Sequence, residues 1–391
     1  MSASCRILST LLICGLYAVV GHGAWMRHTI DASSAGADGV RIDDANGDGL
    51  ADIATAWEEG GVVRVYLHPG VARVREPWPQ VTVGRVADGE DAVLADLDGD
   101  GAMDVLSASE GGTQTLFVHW APKAPERYLD ADAWETQAIP DSVGKTRWMY
   151  TLPLYAGSSR CVRIAAGSKN PNGQIGVYAI SREPRAVAAW TWHKIHDMGW
   201  VMSIAADYGP HGTDLSALIV SNRRTPHVGC FAIAPPTEAQ QDWQVSSIAG
   251  PEHEWMFLDY VSGPMNASVV CATSDAGPVL HAAGEEPIML ALPPGLGTGK
   301  GVARGDFDGD GAFDLVYSCE NVGGKMGVIL LRNYADPKRN GAQDFIDVSG
   351  LEGTKFDRVE VIDLDGDGDP DILTCEEREG LGVIWYENPR K

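Results

Sequence analysis

The chain has 391 residues, and its 54 acidic side chains against 30 basic ones leave a net charge of −24. That carboxylate excess excludes nucleic acid and anionic membrane surfaces as natural partners, because both recruit clustered Lys and Arg. A hydrophobic fraction of 44% excludes a disordered polyanion, and 46 Gly with 22 Pro and no helical periodicity favour short strands joined by turns.

Residues 1–24 read as an export signal. Arg6 precedes an apolar run from Ile7 to Val20, and small residues stand before Trp25. The run is shorter than the roughly 20 residues of a membrane span, so the expectation is a secreted, periplasmic or cell-surface protein with no integral span after signal removal. Beyond it, Cys161, Cys230, Cys271, Cys319 and Cys375 are odd in number, widely spaced and without C-x-x-C. They read as buried small hydrophobes rather than a disulfide framework or a zinc site.

From Gly39 the chain repeats. Gly39–Asp43 enters an acidic loop built on Asp44, Asn46, Asp48 and Asp52; Asp52–Trp57 leaves it, Val62–Leu67 alternates, and Trp78–Val83 closes the unit. The loop returns as Asp96, Asp98, Asp100 and Asp104, as Asp306, Asp308, Asp310 and Asp314, and as Asp363, Asp365, Asp367 and Asp371. The spacing between the first and last loops accommodates three further units, visible without acidic loops at residues 150–180, 203–233 and 257–283. Closing strands are expected at 134–139, 190–195, 243–248, 288–292 and 345–348. The last unit ends at Trp385-Tyr386-Glu387-Asn388-Pro389 without one, and Trp25–Ile30 carries the same Trp-x-x-x-x-Ile pattern. The reading is all-β: a seven-bladed propeller over residues 25–391, with four-stranded blades and a ring closed by the N-terminal strand.

The four D-x-[DN]-G-D-G-x-x-D loops resemble the FG-GAP or VCBS-type repeats of integrin-alpha-like β-propellers, especially those of secreted bacterial proteins. Carboxylates at loop positions one, three, five and nine, with glycines permitting the bend, make the oxygen-rich shell of a hard cation. Fifteen aspartates and Asn46 would thus hold about four structural Ca²⁺ ions. The resemblance places these loops on the face away from the ligand site and leaves activity open, since such propellers include adhesion receptors, lectins and some carbohydrate lyases or dehydratases.

On the opposite face, charge is divided by sector. Lys169, Arg223 and Arg224 lie in the third and fourth units, whereas Glu58, Glu110, Glu320 and Glu376 lie in the first, second, sixth and seventh. With Trp148, Trp200 and Trp255 nearby, this arrangement suits an acidic sugar, cations on its carboxylate and rings on its apolar faces; the same tryptophans, with Met149, Met202 and Met256 beside them, read better as core between blades. The predicted function is an extracellular binding or adhesion module for carbohydrate or a protein partner. The alternative is a carbohydrate lyase or dehydratase at the channel mouth, which needs His253 or His196 converging with Glu254 or Glu90 for proton transfer.

Overall fold

The structure is a computed structural model that describes residues 25–389, apart from 157–159, 210, 211, 213, 238–239, 263–266 and 335–343. The predicted signal, residues 1–24, lies outside the described residues. Seven four-stranded antiparallel sheets stand around one axis. From the axis outward, blade 1 comprises Ala37–Asp43, Asp52–Trp57, Val62–Tyr66 and Gln80–Gly84. The inner strands of blades 2 to 7 are Gly89–Ala95, Arg147–Ala156, Val201–Asp207, Trp255–Val261, Thr298–Gly305 and Phe356–Ile362. Consecutive inner strands touch all the way round, the seventh meeting the first. Four single-turn 3₁₀ segments are the only helical elements among the described residues, so no helix there is long and apolar enough to cross a membrane.

The ring closes as the sequence implies. Met26–Asp31 pairs antiparallel with Gly382–Glu387, so the outermost strand of blade 7 comes from the other end of the chain. Ile30, Trp57, Leu373 and Trp385 bury one another across this seam. The five described cysteines are buried and free.

Two kinds of boundary differ from the sequence reading, each for a physical reason. The closing strands of blades 1, 2 and 3 begin one or two residues late, at Gln80, Glu135 and Thr191. The tryptophan before each is a plug: the indole N–H of Trp78 donates to Val74 O, that of Trp134 to Tyr128 O and that of Trp190 to Pro184 O, each at 2.9 Å. A side chain tied to its own loop holds its backbone out of the ladder. The inner strands of blades 3 to 5 begin early, at Arg147, Val201 and Trp255, because a β-bulge near each start breaks the alternation that marks a strand in sequence.

Candidate functional site

Each inner strand runs from one face of the ring to the other, so acidic loops gather at its end and the channel mouth at its beginning. In the loops, the first carboxylate gathers backbone amides: Asp96 accepts from the N–H groups of Gly99 and Gly101, and Asp363 from those of Gly366 and Gly368. The two glycines make this possible, Gly99 and Gly101 lying at φ +78° and +89°. Carboxylate oxygens of Asp96, Asp98 and Asp104, of Asp306, Asp308 and Asp310, and of Asp363, Asp365 and Asp371 approach within 4.8 Å of one another in their three loops. In the first loop Asn46 replaces the position-three carboxylate, and its amide donates to Asp48 at 3.0 Å.

The position-nine aspartates carry a second task that spacing did not reveal. Both oxygens of Asp104 accept backbone N–H groups, from Leu97 at 3.1 Å and from Ala121 at 2.8 Å beyond the third strand. Asp52 does the same for Ala45 and His68, Asp314 for Phe307 and Asn333, and Asp371 for Leu364 and Asn388. Burial pushes the carboxyls of Asp52, Asp104, Asp314 and Asp371 up to about 7, 8, 6 and 7, against these stabilising amides. A bound cation would reverse that shift, and an all-oxygen set of this kind fits a hard divalent ion.

At the mouth, all seven inner strands carry a β-bulge: between Asp38 and Arg41, Gly89 and Asp91, Trp148 and Tyr150, Val201 and Ser203, Trp255 and Leu258, Gly299 and Val302, and Phe356 and Val359. The bulged residues are the ones that line the channel. Gly39, Glu90, Met149, Met202, Phe257, Lys300, Asp357 and Arg358 surround a cavity of about 200 Å³. A bulge inserts an extra residue and re-aims side chains, here seven times around one axis. The ends of the second strands and the loops that follow them add Glu58, Glu110, Lys169, Arg223, Glu320 and Arg378.

The lining is divided. Blades 3 to 5 present an apolar arc of Met149, Met202 and Phe257 beneath Trp200, with Lys169 and Arg223 lying 4.5 and 4.9 Å from the centre of the Trp200 ring. Lys169 is paired to Glu110, and lies 4.0 Å from Glu90. Arg223 is aimed by a buried scaffold: Asn222 accepts the Trp200 N–H at 2.7 Å and donates to the carbonyls of Arg224, Pro226 and His227. Blades 1, 2, 6 and 7 present carboxylates, interleaved in blades 6 and 7 with Lys300, Lys355, Arg358 and Arg378. Burial and neighbouring Asp357, Glu377 and Glu90 push Asp38 well above the usual range, and burial also raises Glu90. Glu377, just behind, is driven to about 8 by burial and by Asp357. Burial pushes Asp357 upward too, but Lys300, a hydrogen bond with Asp38, and Lys355 outweigh it and keep this carboxyl ionised.

The other sequence candidates lie elsewhere. Trp148 and Trp255 are fully buried between strands, their N–H groups given to Ser142 O and Gly250 O, so only Trp200 of the three reaches the cavity. Arg224 and Arg223 grip Glu254, which Ser274 also binds at 2.8 Å; against its burial, these partners keep that carboxyl below its ordinary value. His253 packs on Trp255 and faces Asp275, and His196 stacks on His227 with ring centres 4.2 Å apart. Among the described residues no histidine lines the cavity, and of the four proton-transfer candidates only Glu90 does. Sequence reasoning missed Tyr150 and Lys355 and read Met149 and Met202 as core. Met149 and Met202 are the skipped residues of their bulges, a shared position visible only once the bulges align the repeats.

No curated protein matches the chain. Among solved structures, a chain of the crystal structure of BBS1N in complex with ARL6DN, soaked with mercury, is similar over 94% of this chain and 98% of that one, at 10% identity and a TM-score of 0.55. That likeness bears on the fold alone. Residues 44–107, covering the first two acidic loops, match the model of the FG-GAP-like repeat. That match lies inside a ring of seven four-stranded blades, so the chain is a seven-bladed β-propeller that carries an FG-GAP-like repeat in its first two blades.

Proposed function

We infer that this protein is an exported, calcium-stabilised binding module whose ligand enters the channel mouth, the ligand being a carbohydrate that carries a carboxylate. The observation that supports this most directly is the ring of bulged residues, which divides one cavity into an apolar arc under cations and a floor where carboxylates alternate with lysines and arginines. A uronic acid matches both halves: its C–H face on Trp200 and Phe257, its carboxylate toward Arg223 and Lys169, and its hydroxyls hydrogen-bonded to Asp357, Asp38 and Glu90. Calcium belongs to the opposite face, where Asp44, Asn46 and Asp48 and their equivalents would hold it; it contributes charge compensation and loop rigidity there, roughly 20 Å from the ligand. An extracellular protein presenting a carboxylate side chain would use the same cations.

The test is calorimetry of the calcium-loaded protein against uronic-acid and neutral oligosaccharides, with sugar mass spectrometry on the same mixtures. The expected result is uronate binding that falls at least tenfold in Arg223→Gln and in Trp200→Ala, with the sugar recovered unchanged. Equal binding by both variants would remove the site from the channel mouth. An excess of chelator that left the melting temperature unchanged would remove the calcium.

One observation favours the lyase or dehydratase alternative: Asp357, kept ionised, stands beside Glu377, raised to about 8, and Asp38, raised well above the usual range, an acid–base split of the kind proton transfer requires. An unsaturated or dehydrated product that disappears in Asp357→Asn would establish that reading, with the carboxylates in the part first given to His253 and His196.

A further inference from the structure

Position three of the acidic loops has an outward side. Asp98 Oδ1 accepts the Asp100 N–H at 3.1 Å within its loop, while Oδ2 accepts from Arg185 Nε at 2.6 Å. Asp365 is arranged alike: Oδ1 accepts the Asp367 N–H at 3.2 Å, and Oδ2 is paired to Arg75 Nη2. In both cases the arginine belongs to the following blade, Arg185 to blade 3 reaching blade 2, and Arg75 to blade 1 reaching blade 7. Arg332 of the same blade stands 3.9 Å from Asp308 in the sixth-blade loop. The first loop has a neutral Asn46 at this position, and among the described residues no basic side chain pairs with Asp44, Asn46 or Asp48. A cation outside the loop accompanies each position-three carboxylate, and the loop without that carboxylate lacks the cation.

Arg75 does more than balance a charge. Its Nε and Nη2 also donate to both oxygens of Glu387, at 2.8 and 2.9 Å, and Glu387 lies 2.8 Å from His28 on the N-terminal strand. Those contacts hold Glu387 down to about 2. One guanidinium thus ties the blade-1 segment between third and fourth strands to the acidic loop of blade 7 and to the two strands that close the ring. The same segment is pinned by His68, whose Nε2 is 2.9 Å from Leu364 O.

We propose that Arg75 and Arg185 are inter-blade positioning residues that keep the acidic loops of blades 7 and 2 in their cation-ready form, and that Arg75 thereby latches the ring seam to the blade-7 loop. Only the calcium arm of this inference rests on the proposed function. In chelator the two arginines supply the positive charge for their loops, so the first loop opens and the other two hold. Charge-assisted pairing, two-pronged where Arg75 meets Glu387, is the kind of contact that fixes geometry as well as charge.

Hydrogen exchange read by mass spectrometry on the full-length protein tests this. In chelator, wild-type residues 44–52 exchange fast while 96–104, 363–371, 26–31 and 382–387 remain protected. Arg75→Gln accelerates exchange at 363–371, 26–31 and 382–387 by about tenfold in chelator and leaves 96–104 unchanged; calcium restores the protection. Arg185→Gln does the same at 96–104 alone, and reads the device at a junction away from the seam should the Arg75 variant not fold. Unchanged exchange in the folded variants, in chelator, overturns the proposal. Faster exchange that calcium fails to reverse, with no calcium uptake by calorimetry, upholds the latch and removes the calcium.

Discussion

Glu377 shows how much one burial decides. Its carboxyl sits behind the channel floor, paired to Lys355, with carboxylate oxygens of Asp38 and Glu58 within 4.8 Å. Burial and the charge of Asp357 raise it to about 8, so the folded protein holds a proton there that the unfolded chain releases at ordinary glutamate pH. A raised folded value means that this stability is complete below the unfolded pKa and is lost as pH rises toward 8. Glu377→Gln mimics the protonated form. Its melting temperature should match wild type near pH 5 and exceed it increasingly toward pH 8; parallel curves would show that Glu377 does not titrate in this range. At this scale the sequence located Glu58, Glu110, Lys169 and Arg223 at the mouth, because a loop between predicted strands exposes its charges. It did not distinguish Trp200 from Trp148 and Trp255, because the side a tryptophan faces depends on a bulge.

The acidic loop and the bulged inner strand are the two elements that matter. The loop is legible because its glycines and aspartates occupy fixed offsets. What the offsets did not show is that position nine ties the loop to the strand two places outward. Asp104→Ala leaves the N–H groups of Leu97 and Ala121 without their carboxylate, at a cost of about 2–4 kcal/mol. The expected loss persists in chelator, measured as a lower denaturation midpoint with and without calcium; a loss confined to the calcium-loaded protein would make Asp104 a ligand only. The bulge is illegible because it adds one residue to a strand and leaves composition untouched. Only pairing, Trp148 opposite Ser168 and then Tyr150 opposite Gly167, exposes the skipped Met149.

For the whole molecule, closure is the decisive property. Met26–Asp31 covers the edge of Gly382–Glu387, and Ile30 completes a seam with Trp57 and Trp385. A chain beginning at Ala37 would expose that edge and remove His28 and Asp31, whose carboxylate takes a hydrogen bond from Tyr66. Size-exclusion chromatography should show such a truncation aggregated or oligomeric; a stable monomer with unchanged melting would mean that the seam contributes little. By itself the sequence determined the repeat, the seven-blade count, the acidic loops and the strand that closes the ring, because each is written in local spacing and the unit recurs. Tertiary structure alone decided which side chains meet in the channel, which tryptophans are core, and that arginines cross from one blade to the next. Those outcomes depend on bulges and on neighbours hundreds of residues apart, and local pattern carries no record of either.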